Sequence, residues 1–119
     1  MNDFERADKF IQDAKQQMDS PSNMAKFELQ QKLADEWMSL SCEQRLSTGK
    51  ALEEKAKNVD DKEVKASFDF SQYSNTVTRL EFSRYKDWSF GYGGMPRYNY
   101  DTLYVHNPMK GCTINDRQK

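Results

Sequence analysis

The stretch Val64-Lys65-Ala66-Ser67-Phe68-Asp69-Phe70 decides the fold. Apolar residues stand at 64, 66, 68 and 70 with polar residues between them, which is the alternation of a half-buried strand. Upstream of it the spacing is helical. Phe4, Ala7, Ile11, Ala14 and Met18 recur on one stripe, widened by Phe10, and predict a helix over residues 3–19. Pro21 disfavours helical dihedrals at Ser20, so the pattern breaks there and restarts from a cap at Ser22 or Asn23. Phe27, Leu33, Ala34, Trp37 and Leu40 form the apolar face of this second helix, flanked by Met24 and Met38. Ser41 followed by Gln44 has the form of a capping box and opens a third helix. Its stripe is thin: Leu46, Gly49, Leu52, Ala56 and Val59, with Gly49 allowing a neighbouring helix to come close.

Downstream of Phe70 the period of two continues. A turn at 73–76 leads to a strand over 76–85, with Leu80 and Phe82 on one face and Val77, Arg79, Glu81, Ser83 and Tyr85 on the other. Residues 86–92 read as a further strand carrying Trp88, Phe90 and Tyr92 on one face, and the Gly93-Gly94-Met95-Pro96 run makes a loop. A last strand over 97–106 sets Tyr98, Tyr100, Thr102 and Tyr104 against Asn99, Asp101, Leu103 and Val105. Helices followed by strands predict the α+β class: two or three N-terminal helices on one face of a four-stranded antiparallel meander, with Phe68, Phe70, Leu80, Phe82, Trp88 and Phe90 turned towards the helices. The chain reads as a single domain over 1–119, with a helical part at 1–63, a sheet at 64–106 and a loosely ordered tail at 107–119 anchored only by Cys112 and Ile114.

Composition sharpens that division. The 119 residues carry 18 Lys and Arg against 19 Asp and Glu, a net charge of −1, so no strong field draws the chain to a polyanion. Seven Phe, six Tyr and two Trp supply apolar volume that scarce aliphatics do not. Most of these aromatics lie after residue 65, while acidic residues predominate before it. No apolar run approaches the roughly 20 residues that a membrane span requires. A charged N-terminal sequence and two cysteines, read as unrelated thiols, lead to the expectation of a cytoplasmic protein.

Catalytic constellations are hard to find. His106 is the single histidine, beside Asn-Pro at a strand end. Cys42 at a helix start would have a lowered thiol pKa, but a nucleophile also needs a base, and nothing in the spacing joins it to His106. Metal sites need three or four ligands, and His106 with Cys112 does not make one. Gly91-Tyr92-Gly93-Gly94 precedes a strand pattern rather than a helix, so it is a turn and not a phosphate cradle. The expectation is therefore a non-enzyme without metal or cofactor.

One set remains. Tyr73, Tyr85, Tyr92, Tyr98, Tyr100 and Tyr104 all fall in the sheet half, interleaved with Arg79, Arg84, Lys86 and Arg97. Tyr and Arg together are the usual composition of a protein–protein hot spot. Aromatics with Arg on a sheet also stack unpaired bases, though the small positive charge of this half disfavours nucleic acid. The candidate partner-binding residues are Arg79, Arg84, Tyr85, Tyr92, Arg97, Tyr98, Tyr100 and Tyr104, and the expected partner is another protein or protein complex. In size and composition the chain resembles in style the small accessory inhibitors of phages and mobile elements, such as anti-CRISPRs and immunity proteins. That resemblance implies action by occupying a partner's surface.

Overall fold

The computed structural model describes residues 1–113 of the chain. Three helices, α1 (Asp3–Asp19), α2 (Asn23–Met38) and α3 (Cys42–Ala56), precede three strands, β1 (Lys65–Phe70), β2 (Val77–Phe90) and β3 (Pro96–His106). The class is α+β. Local chemistry starts each helix. Asn2 and Glu5 form a capping box on α1, the Ser22 hydroxyl accepts from the Ala25 N–H on α2, and Ser41 and Gln44 form the expected capping box on α3.

Trp37 is fully buried and joins the layers: its ring meets Phe10 of α1 at 5.3 Å and Phe68 of β1 at 6.1 Å, both edge to face. Around it lie Ala7, Ala14, Leu33, Leu52, Leu80, Phe82, Leu103 and Val105. Phe4 and Phe27, expected on buried stripes, are exposed instead. The stripes that are buried are narrower than expected: α1 turns Ala7, Phe10, Ala14 and Met18 inward, and α2 buries Leu33 and Trp37. Gly49 does permit a close approach, but by the sheet and not by a helix. A Cβ at Gly49 would overlap the Phe68 ring. Gly49→Ala is therefore expected to destabilise by up to about 2 kcal/mol, because overpacking costs about 1–3 kcal/mol against a helix-propensity gain of about 0.8–1 kcal/mol. Urea unfolding checks this, and adding Phe68→Leu should recover part of the loss.

The sheet has order β1-β2-β3 and is antiparallel throughout. It has three strands and not four, because residues 77–90 form one continuous strand. What looked like two strands is one strand with a bulge: Tyr85 pairs with Tyr100 and Asp87 with Asn99, leaving Lys86 as the extra residue. A second irregularity lies at the start, where Asp69 pairs with Arg79 and Phe70 with Val77, leaving Thr78 over. Each extra residue reverses the parity of the faces. That is why Val77 is buried with Leu80 and Phe82, against the expected alternation. It is also why Trp88 and Phe90 are exposed on the face away from the helices, against the expectation that they would be core.

The segment after β3 is anchored. Asn107 turns the chain with a φ of 50°, Pro108 and Met109 are buried, and the Trp37 indole N–H donates to the Pro108 carbonyl at 3.0 Å. Arg45, nine-tenths buried, donates to the carbonyls of Met38, Leu40, Pro108 and Lys110 at 2.9–3.3 Å. Cys42 and Cys112 form a disulfide with their Cα atoms 5.6 Å apart. The expectation of a loose tail thus fails for residues 107–113, and the two cysteines are not unrelated thiols. Ile114, the other expected anchor, lies outside the described residues.

Candidate functional site

Pairing of β1 with β2 ends at Lys65 opposite Ser83, whereas β2 and β3 continue together to Phe90 opposite Pro96. Beyond Tyr85 the sheet is therefore a two-stranded ribbon, and every β2 residue from Lys86 to Phe90 is exposed. The ribbon is closed by a short turn over Tyr92–Gly94, where Gly93 and Gly94 take φ values of 75° and 77°. Glycine adopts such angles with no Cβ clash, so the turn chemistry at 93–94 sets where the ribbon folds back.

Directly opposed residues share a face, so the register assigns the side chains. On the face away from the helices lie Tyr85 opposite Tyr100, Trp88 opposite Tyr98, and Phe90 opposite Pro96. The Tyr85 ring stands 5.8 Å from Tyr100 and 6.4 Å from Tyr98, and the Trp88 ring 5.2 Å from Phe90. Trp88, Phe90, Tyr98 and Tyr100 are 54%, 73%, 62% and 53% exposed. Together they make a contiguous aromatic face with phenol hydroxyls distributed along it, a patch of the kind that marks a recognition surface. Tyr85, half-buried at its centre, has its phenol raised above the ordinary value, first by burial and then by the charge of Asp87. It remains an O–H donor at neutral pH.

The same face continues towards the body of the domain. Arg79 stacks over the Tyr104 ring at 4.4 Å from its centroid and donates to Asp69 at 2.5 Å. That hydrogen bond is the first cause of its guanidinium being held charged above the ordinary value. His106 lies beyond, 6.1 Å from Tyr104 ring to ring.

The sequence-derived residues therefore divide. Tyr85, Tyr98, Tyr100, Tyr104 and Arg79 lie on one face. Arg84 lies on the other, where it donates to Asp19 of α1 at 2.6 Å and to Asp101 at 2.9 Å, tying the first helix to the sheet. Arg97 sits opposite Ser89 on that same opposite face, and Tyr92 projects fully exposed from the turn. Sequence reasoning missed Trp88 and Phe90 as members of the aromatic face. The available signal was the crowding of apolar residues at 85, 88 and 90, which no unbroken alternation satisfies.

A second feature lies behind the ribbon. A cleft of about 420 Å³ is lined by Met18, Lys26, Lys62, Arg84, Tyr85, Lys86 and Asp101. Cys42 is bonded to Cys112, so the thiol considered as a nucleophile is consumed. Among the described residues no cluster of His, Cys, Asp and Glu has the arrangement of a metal site, and no helix is long and apolar enough to cross a membrane. Compared with protein-family models, with curated proteins and with solved structures, the chain has no match.

Proposed function

We infer that this is a non-enzymatic binding protein that acts by seating the aromatic face of the β2–β3 ribbon on another protein, in the manner of a small inhibitor. The observation that carries this is the run Trp88, Phe90, Tyr98 and Tyr100, large rings more than half exposed on a ribbon free of the helical layer. Hot spots are enriched in Trp, Tyr and Arg because such side chains give much contact area for few rotors fixed. Charge supports a protein partner over nucleic acid. On this face Arg79 is already paired with Asp69 and Lys65 with Asp61, so no cation of the pair is available to neutralise phosphate. The anti-defence or immunity-like role is the form of inhibitor that the chain's size and composition suggest. The proposal does not depend on a cytoplasmic location, since the disulfide is a bond of oxidising compartments and removes the thiols as an argument for a reducing one.

One observation favours a second reading, a single-stranded nucleic-acid binder. Lys26, Lys62 and Lys86 gather at the cleft beside Tyr85, so a strand passing from cleft to ribbon would find both charge and stacking rings. The test is affinity isolation with the tagged wild-type chain and with Trp88→Ala and Tyr98→Ala. A protein retained by the wild type and lost by both variants supports the proposal. Nucleic acid retained in a strongly salt-dependent way supports the second reading. Variants that bind as the wild type does would remove the aromatic face from consideration.

A further inference from the structure

The outer edge of β3 carries an inference that goes beyond the aromatic-face proposal and does not rest on it. β3 lies at one side of the sheet with β2 on its inner side. The Asn107 N–H donates to the Thr78 carbonyl at 2.9 Å, and the Met95 carbonyl accepts from the Gly91 N–H at 2.7 Å. Backbone groups alternate between the two sides of a strand. Odd-numbered residues of β3 thus turn theirs towards β2, and Tyr98, Tyr100, Thr102, Tyr104 and His106 turn theirs outward. Among the described residues no turn or loop backbone bonds to these outward groups. Such an edge is a template for another strand unless it is blunted. β3 has a proline only at its first position, and the Lys86 bulge lies on β2, away from the open edge.

We propose that β3 pairs antiparallel with β3 of a second copy of this chain, about a two-fold axis at Asn99. Three observations select the occupant and the register. First, with Asn99 on the axis, Arg97 of each copy stands opposite Asp101 of the other, on the same face; Arg84 there is shared between the carboxylates of Asp101 and Asp19, so one negative charge is left for the incoming Arg97 and the ends of the contact are charge-complementary. Second, Tyr98 stands opposite Tyr100 of the other copy, as a hydrogen-bonded pair formed by the outward backbone groups. The aromatic ladder then runs unbroken across both copies. Third, the segment from Pro96 to Tyr100 belongs to the ribbon, outside the β1–β2 pairing, so the two helical layers lie at opposite ends of the joined sheet. A two-fold contact of this kind closes on itself and uses the same patch twice.

The pairing fixes a geometry that can be trapped. Asn99 meets its own copy as a non-hydrogen-bonded pair, with Cα atoms about 4.5 Å apart, a separation that a disulfide bridges. Thr102 of one copy lies far from Thr102 of the other. Mild oxidation of Asn99→Cys should therefore give a covalently linked dimer, while Thr102→Cys should not. Sedimentation of the wild-type chain over the micromolar range should show a dimer, and Tyr100→Pro, which removes an outward N–H and leaves the β2 ladder intact, should sediment as a monomer with an unchanged helical circular-dichroism signal. Arg97→Glu, which sets like charges opposite one another, should weaken the dimer at least tenfold without altering the fold. A wild-type chain that is monomeric throughout overturns the proposal, including the case in which its β3 edge takes up a strand from a different protein. A dimer that cross-links through Thr102→Cys and not through Asn99→Cys overturns it equally.

Discussion

A chain carrying Cys42→Ser and Cys112→Ser is expected to lose about 4 kcal/mol of stability, because the bond it lacks closes a loop of 70 residues and loop-closure entropy of that size is removed from the unfolded state. The bond joins the first turn of α3 to the segment after β3, so it links the beginning of the last helix to the end of the sheet. Pro108 and Met109 sit between the two and are buried under Trp37. Unfolding in urea with and without a reductant checks this on the wild-type chain as well as on the double variant. A loss under about 1 kcal/mol, below the usual range for such a bond, would mean that Arg45 and Trp37 hold the segment unaided.

Arg45→Ala is the second large effect, with an expected loss of about 3 kcal/mol. The guanidinium is buried among carbonyls of two segments: Met38 and Leu40 at the end of α2, and Pro108 and Lys110 after β3. Hydrogen bonds to a charged group contribute about 1.5–3 kcal/mol each, and truncation also leaves buried acceptors without a donor. The sum is not additive, so the expectation stays near the upper end of a single such bond. Arg45→Lys keeps the charge but loses the fork that reaches two segments at once, and should recover less than half of the loss. Arg45 Nη1 lies 3.5 Å from Cys112 Sγ, so removing Arg45 and the disulfide together should cost less than the two losses added. Additive losses would show that the two anchors act on separate parts of the fold.

These two anchors also mark where sequence reasoning stopped. The change from helical spacing to alternation at Val64 was legible because it is a local property of the chain, and so were the Ser41–Gln44 cap and the turn at Asn75. The pairing of Cys42 with Cys112 was not, since it depends on bringing together residues 70 positions apart in the chain. Arg45 carried no signal in the sequence, because its partners are carbonyls whose direction only the fold determines. The bulges had the largest consequence for the candidate site. Counting alternate residues from Phe82 places Trp88 and Phe90 in the core, and one extra residue at Lys86 places them on the other face. The tyrosines were legible as a group because Leu103 and Val105 claim the opposite parity of β3, but Arg84 and Arg97 could not be separated from them without the register.

The aromatic ladder also has a purely structural use, since cross-strand pairs stabilise a ribbon by about 0.2–1 kcal/mol each and a two-stranded hairpin alone is marginal. The decisive measurement therefore reads stability and affinity on the same molecules. Once the partner retained by the wild-type chain is identified, its dissociation constant should be measured for the wild type, Trp88→Ala, Tyr98→Ala and Tyr100→Ala, alongside their unfolding in urea. The recognition face predicts that at least one substitution weakens binding by about 2 kcal/mol, roughly 30-fold, while the chain loses about 1 kcal/mol of stability or less. Affinity unchanged in all three folded variants, with the loss confined to stability, would contradict it.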